Sequence, residues 1–321
     1  MSALILARGT ELFTVDPPLT LTGGGSFEGS VPFEDWGPRN APLIVVAGGI
    51  SADAHVASHR GNRAPGWWEG TVGPGCAIDT ERYRVVALDF LGGPRVSLPN
   101  GTELTPEDQA ALTARWLEVA GIDRAYAFIG ASYGGAVGLQ FARLHPSRLD
   151  RLITLAVAAR PDAAAVGWRS LQQAVLNWGR ELGGSDAVRA VELARSIGML
   201  GYRGRRELER RFPAGVGLAD YLDNRGRVFG QRFDLASYLT LSSVLDRASI
   251  DPTEVAVPTT AIGFTTDELV PLPGVRDLAH RLPQGRFVPI ETDYGHDGFL
   301  KETEQVSRAL HEALNESEVK R

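Results

Sequence analysis

The stretch IGASYGG at residues 129–135 decides how this 321-residue chain folds. It follows a short apolar run and precedes residues 136–144, a helical pattern that His145 and Pro146 end. Gly-x-Ser-x-Gly is common by chance, and its setting of strand, tight turn and helix is what makes it specific. The serine occupies a strained turn, where side chains at 130 and 134 would collide with the neighbouring strand and helix. The stretch therefore predicts a nucleophile, Ser132, at the end of a sheet strand.

A serine hydroxyl becomes a good nucleophile only when a base takes its proton and a carboxylate orients that base. After a nucleophile in such a turn, these partners follow in the order Asp, His. His296 comes directly after the last apolar strand, and Asp267 follows the strand before it. Glu268 is the neighbouring alternative for the acid, and Asp267 could instead cap the following turn. The sequence predicts Ser132, Asp267 and His296 as a catalytic triad.

The other five histidines have weaker settings for the role of base. His145, His280 and His311 lie in helical or helix-ending segments, which is typical of surface or partly packed side chains. His55 and His59 follow an early strand, where they could line the pocket, but they precede the serine.

An oxyanion hole needs two backbone amides, one of them from the residue after the nucleophile, here Tyr133. The second comes from the loop after an early strand, which here reads AGGIS at residues 47–51. Its glycines permit close approach of the backbone, and Ile50 is the expected donor. An ordinary strand-ending turn explains the same two glycines.

Short apolar runs alternate with helical patterns along the chain, which predicts an α/β fold with a mostly parallel sheet covered on both faces. The α/β-hydrolase fold has this architecture, with the nucleophile turn described above. The expected strands span residues 43–47, 84–88, 125–129, 151–157, 257–262 and 286–290. A hairpin of 19–21 and 27–33 around three glycines opens the sheet, and a helix runs from Pro106 to about Val119. Strand patterns stop between 160 and 250, so we expect a core of 1–159 and 251–321 with a helical lid at 160–250.

The composition limits the partners and the compartment. A net charge of -6 argues against a nucleic-acid partner, which requires a basic face. Lysine occurs only at 301 and 320, so arginine carries almost all of the positive charge. A GC-rich genome explains this bias more simply than anion recognition does. The lone Cys76 fits a reducing compartment, and no His/Cys cluster has metal-ligand spacing. The apolar run at 3–6 is too short for a secretion signal and no stretch could span a bilayer, so we expect a cytoplasmic protein.

The chain resembles the homoserine O-acyltransferases of the α/β-hydrolase superfamily. The most specific stretch is GWWEGTVGPG at 66–75, which continues as AIDTERY at 77–83 and LGG at 91–93. The resemblance covers most of the chain, with further matches in FEDWG at 33–37, in the segment 194–203 and in GHDGFL at 295–300.

This resemblance implies an acyl-CoA co-substrate, no bound cofactor, an acyl-serine intermediate and transfer to the hydroxyl of L-homoserine, a step toward methionine. It also implies a homodimer joined through lid helices. In the family an arginine and a tyrosine seven residues apart grip the amino acid's carboxylate, and Arg195 and Tyr202 have this spacing on one helix face. The residue after the catalytic histidine holds the ammonium, which gives Asp297. Arg195 could also be a solvated lid residue, and Asp297 could cap a helix.

Two departures bear on the acyl donor. Where the family commonly has Cys-x-Gly-Ser-Thr-Gly-Pro after Leu-Gly-Gly, this chain has PRVSLP at 94–99. GISADAH at 49–55 is more similar to the form in succinyl-using members than to the form in acetyl-using ones. The sequence leaves both donors open, and it also leaves open an esterase or an acyltransferase for serine or a specialised metabolite.

Overall fold

An eight-stranded sheet forms the centre of the protein in a computed structural model that describes residues 9–315. The apolar run at 3–6 and both ends of the predicted core lie outside the described residues. The sheet contains β1 (Glu11–Thr20), β2 (Ser26–Trp36), β3 (Leu43–Ala47), β6 (Arg84–Leu88), β7 (Ala127–Ala131), β8 (Leu152–Leu155), β9 (Thr259–Phe264) and β10 (Gly285–Ile290). Two short strands, β4 (Val72–Gly73) and β5 (Ile78–Asp79), pair with each other beside it.

The strand order is β1-β2-β6-β3-β7-β8-β9-β10, and six of these strands, from β6 to β10 in that order, run parallel. The hairpin of β1 and β2 adds to the edge in antiparallel register. Because parallel neighbours point the same way, the loops after β3, β7, β9 and β10 emerge at one edge of the sheet. This edge is where the predicted triad and oxyanion residues stand.

Helices cover both faces of the sheet, as the alternation of apolar runs predicts. They are α1 (Pro106–Val119), α2 (Tyr133–Leu144), α8 (Leu272–Arg281), α9 (Gly298–Lys301) and α10 (Thr303–Asn315). Successive side chains of a strand point to opposite faces, so Val45 packs in the core beneath α1 and α2, whereas Ile44 and Val46 pack with α10. The two apolar layers fix the sheet, and with it the loops at its edge.

Five more helices lie between β8 and β9. They are α3 (Ala163–Leu182), α4 (Gly184–Tyr202), α5 (Arg205–Arg211), α6 (Leu218–Gly230) and α7 (Leu235–Val244). The amide of Ile250 donates to the carbonyl of Ala159 at 2.9 Å, so the chain leaves and re-enters the sheet region at neighbouring points. None of the helices in residues 9–315 is long and apolar enough to cross a membrane.

Candidate active site

Ser132 stands on a sharp turn between β7 and α2, with φ 53° and ψ -117°. This conformation is strained for a residue with a side chain, and the surrounding backbone enforces it. The Ser132 amide donates to Leu155 at 2.8 Å. A Cβ at Gly130 would lie 2.2 Å from the carbonyl oxygen of Gly134, and one at Gly134 would lie 2.2 Å from that of Ala47. Both glycines of the motif are therefore required for the turn to pack.

A hydrogen-bonded row joins the three side chains that the sequence predicts as a triad. His296 Nε2 lies 2.9 Å from Ser132 Oγ, and His296 Nδ1 lies 2.7 Å from Asp267 Oδ2. The other carboxylate oxygen of Asp267 accepts from the amides of Leu269 and Val270, at 2.9 Å each. These two bonds hold the Asp267 carboxylate in one orientation. The carboxylate in turn orients the imidazole of His296, so that Nε2 points toward the serine.

The structure separates the two candidate acids. Glu268 is exposed and lines a small surface depression on the other side of its loop, away from Ser132. Asp267 does cap its own turn, through the amides just described, and it contacts His296 as well. Its capping and orienting roles are compatible because each uses a different oxygen.

The surroundings of His296 move its pKa above the ordinary value of 6.5. Burial lowers the pKa, but the charge of Asp267, its hydrogen bond and the charge of Asp297 outweigh that effect, while Arg169 acts in the lowering direction. His296 is 6 % exposed, so solvent screens these charges weakly. A raised pKa makes His296 a stronger base toward a serine or substrate hydroxyl, provided the pH keeps it neutral.

Two backbone amides near Ser132 are free to receive an oxyanion. Neither the Tyr133 nor the Ile50 amide donates to an acceptor within residues 9–315. Tyr133 is the first residue of α2, where amides have no partner within the helix and the helix dipole favours negative charge. Ile50 lines the same cavity as Ser132. The AGGIS loop is thus adjacent to the nucleophile.

His55 and His59 do not line the cavity, contrary to the expectation from their position after β3. Both contact the buried Glu34, with His55 Nδ1 at 2.8 Å and His59 Nε2 at 2.9 Å from the same carboxylate oxygen. His55 Nε2 also lies 2.8 Å from the carbonyl of Ala64. Both ring nitrogens of His55 thus have partners inside this cluster, and Nδ1 also lies 3.0 Å from Nδ2 of Asn62.

The charges of this cluster stabilise one another. Burial raises the pKa of Glu34, but hydrogen bonds from His59, His55, Thr10 and Asn62 outweigh it and hold that pKa at about 2. Burial lowers the pKa of His55, yet the bonds to Glu34 and Ala64 raise it above 6.5. The cluster therefore fastens β2 to the loop that carries Ile50.

The remaining histidines lie where their segments predict. His145 ends α2 with its ring 5.3 Å from that of Phe141, and His280 and His311 are exposed on α8 and α10.

A cavity of about 1450 Å³ opens above Ser132 and His296, between the sheet edge and α3, α4 and α7. The residues predicted to grip an amino acid all line it. Arg195 lies over the Tyr202 ring, with Cζ 5.0 Å from the centroid, and the Tyr202 ring lies 5.9 Å from that of His296. Asp297 lines the cavity beside His296. Arginine, tyrosine and triad histidine thus form one row along the cavity wall.

Besides Arg195, five arginines that the sequence did not single out line this cavity, and Arg203 and Arg169 are two of them. Arg203 places Nε 3.2 Å from Asp297 Oδ2, and Arg169 reaches in from α3. Their roles depend on partners distant in sequence, and no local motif marks them.

The stretch at 66–75 connects the early loops to the loop of His296. Trp68 Nε1 donates to the carbonyl of Phe299 at 2.9 Å, and the stacked Trp67 lines the cavity while donating to the carbonyl of Asp53 at 3.0 Å. Glu69 accepts from the amides of Ser58 and Gly66. These contacts position the cavity wall next to the nucleophile.

A serine on a strained strand-to-helix turn, with a histidine and an acid from later strand ends, places this protein in the class of α/β-hydrolase-fold enzymes. The family model described as alpha/beta hydrolase fold matches residues 42–303. A homoserine O-succinyltransferase from Xanthomonas campestris is 37% identical, over 92% of this chain and 82% of the relative. A homoserine O-acetyltransferase from Clavibacter michiganensis is 33% identical, over 95% and 92%.

The crystal structure of a homoserine O-acetyltransferase from Bacillus anthracis superposes with a TM-score of 0.87 over 97% of this chain and 98% of that one, at 19% identity, and so supports the fold. This chain belongs to the homoserine O-acyltransferase family of α/β-hydrolase-fold enzymes.

Proposed function

We propose that this enzyme transfers an acyl group from acyl-CoA to the hydroxyl of L-homoserine, through an acyl-serine intermediate on Ser132. The observation that carries the proposal is the juxtaposition of a hydrogen-bonded Ser132, His296 and Asp267 with Arg195 and Tyr202 in one cavity. The names of the relatives support the same reaction. In the family this reaction serves methionine biosynthesis.

The first half-reaction loads the enzyme. His296 accepts the proton of Ser132 as Oγ attacks the thioester carbon, and the amides of Tyr133 and Ile50 stabilise the resulting oxyanion. The carbon–sulfur bond then breaks, and His296 returns its proton to the departing thiolate of coenzyme A. Asp267 keeps Nδ1 protonated throughout and stabilises the transient imidazolium. The products are free coenzyme A and acyl-Ser132.

The second half-reaction needs an acceptor held with its hydroxyl near His296. Arg195 and Tyr202 bind the carboxylate of homoserine, and Asp297 binds its ammonium group. His296 takes the hydroxyl proton, the oxygen attacks the acyl carbon, and the proton passes to Ser132 Oγ as the ester to Ser132 breaks. Arg203, 3.2 Å from Asp297, positions that carboxylate at the cavity wall.

An esterase would use the same triad with water as the acceptor. It would have no need of an arginine stacked on a tyrosine beside the triad histidine, so the row of Arg195, Tyr202 and His296 favours transfer. We further propose that residues 160–250 act as a lid that shields the acyl-enzyme from water.

We also propose a homodimer formed through the lid. Three large apolar side chains on one face of α3 are more than half exposed, namely Leu171 at 57%, Trp178 at 60% and Leu182 at 53%. Such a face is typical of a subunit interface. Light scattering on the purified chain tests the dimer.

A cytoplasmic location fits an enzyme that consumes acyl-CoA.

The experiment that tests the function crosses acetyl-CoA and succinyl-CoA with homoserine, serine and water, and follows release of free thiol. The proposal expects homoserine to accelerate thiol release far above water, and above serine, which is one methylene shorter. Equal rates with homoserine and water would support an esterase, and a faster rate with serine would change the acceptor.

A further inference from the structure

Arg169 enters the cavity from α3 in a fixed orientation. Its Nε donates to Asp246 Oδ1 at 2.7 Å, and Gln173 Nε2 donates to the other oxygen of Asp246 at 2.9 Å. Asp246 lies in the short turn that follows α7, so the contact spans two separate helical segments. The side chain of Arg169 is only 13% exposed. The guanidinium is therefore held by packing and by one carboxylate.

The opposite edge of this guanidinium has no hydrogen-bond acceptor among residues 9–315. Nη2 is buried without a hydrogen-bond acceptor, and Nη1 has none within the described part of the chain. A buried cationic donor without an acceptor costs stability, typically about 1–3 kcal/mol or more for a charged group. The two Nη groups form the planar fork that matches a carboxylate in bidentate geometry. The arrangement has the donor geometry of an anion-binding site.

The position of Arg169 relative to the triad limits which anion it meets. Arg169 lines the same cavity as Ser132 and His296, and its charge lowers the pKa of His296, which requires proximity. The acceptor's carboxylate already has a site, because Arg195 lies on the Tyr202 ring of the neighbouring helix α4. A second carboxylate is thus expected from the other substrate, the acyl donor.

We propose that Arg169 binds the free carboxylate of a dicarboxylic acyl group, so that the donor is a coenzyme A monothioester of the succinyl class. This inference rests on the proposed function. In such an acyl group the distal carboxyl carbon lies three carbon–carbon bonds from the thioester carbon, roughly 4 Å away in the extended form. Arg169 then binds one end of the acyl group while Ser132 attacks the other. The relatives reported above include both donor types and do not decide between them.

The test compares acylation by succinyl-CoA and by acetyl-CoA in single-turnover thiol release, without acceptor. The readout is the second-order rate constant of acylation by succinyl-CoA divided by that for acetyl-CoA, measured on the pH plateau because Arg169 also affects His296. The wild-type enzyme is expected to prefer succinyl-CoA. In Arg169→Met the ratio should fall by about ten- to a hundredfold, the loss expected for one charge-assisted hydrogen-bonded contact. Arg180→Met, an exposed arginine on the same helix, is the matched control and should leave the ratio unchanged.

The outcomes separate this inference from the proposed function. Equal losses with both donors in Arg169→Met would mean that Arg169 binds a part common to them, such as a phosphate of coenzyme A, and would overturn the inference. A wild-type preference for acetyl-CoA would overturn it as well. Both results leave acyl transfer intact, whereas failure of any thioester to load Ser132 would instead refute the proposed function. Arg169→Lys adds a second check, because it keeps the charge without the fork and should restore the ratio only in part.

Discussion

Replacing Arg195 by alanine separates the two half-reactions. The Arg195 guanidinium lies over two rings, with Cζ 5.0 Å from the centroid of Tyr202 and 4.7 Å from that of Phe229. These ring contacts fix its position by packing. The guanidinium also lies next to the hydroxyl of Tyr238, and it lines the cavity, where it can bind a carboxylate. Acylation of Ser132 involves only the donor, so the substitution should leave that step nearly unchanged and weaken the step that uses homoserine.

The magnitude follows from the contact that is lost. A hydrogen bond to a charged group contributes about 1.5–3 kcal/mol, which corresponds to a loss of roughly ten- to a hundredfold in kcat/KM for homoserine. Each arginine–ring contact adds about 0.5–1 kcal/mol to lid packing, so a small loss of thermal stability should accompany it. Arg195→Lys keeps the charge and controls for the loss of the planar group.

Two rates must be measured in the same samples. Pre-steady-state thiol release reports acylation, and homoserine-dependent decay of the acyl-enzyme reports transfer. Equal losses in both steps would indicate general damage to the lid and refute the assigned role. If neither rate changes and water consumes the acyl group as fast as homoserine does, the transferase proposal fails and an esterase remains.

Three further predictions concern the triad, its pH dependence and the buried cluster. Asp267→Asn should preserve the fold, as circular dichroism would report, and reduce turnover by about 10⁴-fold, because the imidazole loses its required tautomer; near-normal turnover would exclude Asp267 as the orienting acid. Acylation needs neutral His296, so the rate of thiol release should fall as the pH drops through the pKa of His296, which lies above 6.5. Asp297 raises that pKa, so Asp297→Asn should shift the acid limb of the pH–rate profile to lower pH. A shift to higher pH would contradict this assignment. Glu34→Gln should lower the free energy of unfolding in urea by about 1–3 kcal/mol at pH 6. The pKa of Glu34 is lowered and that of His55 is raised, so this difference should shrink below pH 4.5, toward pH 2, and also as the pH rises above the pKa of His55; a pH-independent difference would contradict the ion pair.

The nucleophile turn could be predicted from sequence because its constraints are local. A side chain at Gly130 would collide with the backbone of Gly134, four residues later, and one at Gly134 would collide with the backbone of the adjacent strand β3. The motif contains both glycines. The strands at 43–47 and 84–88 have the predicted bounds, since their apolar runs coincide with the hydrogen-bonded ladder. The α/β fold followed from this alternation of strands and helices.

Other features depend on contacts that the sequence does not reveal. The first strand, β1, extends to Glu11, whereas the prediction began at residue 19; Pro17 and Pro18 interrupt the strand pattern, and the sheet tolerates them because β1 is an edge strand. From its position after β3, His55 could line the pocket; the sequence does not reveal that its partner is Glu34 in a different strand, β2. Arg169 is marked by its contact with Asp246 and by an Nη2 that has no acceptor among the described residues, and both features are tertiary.

Intact-mass spectrometry of the acyl-enzyme tests the central claim most directly. Mixing the enzyme with acyl-CoA in the absence of acceptor should add the mass of one acyl group, and peptide mapping should place it on Ser132. Homoserine should remove the adduct faster than water does, and Ser132→Ala should carry no adduct. An acyl adduct that persists in Ser132→Ala, or one that homoserine does not discharge, would contradict the account.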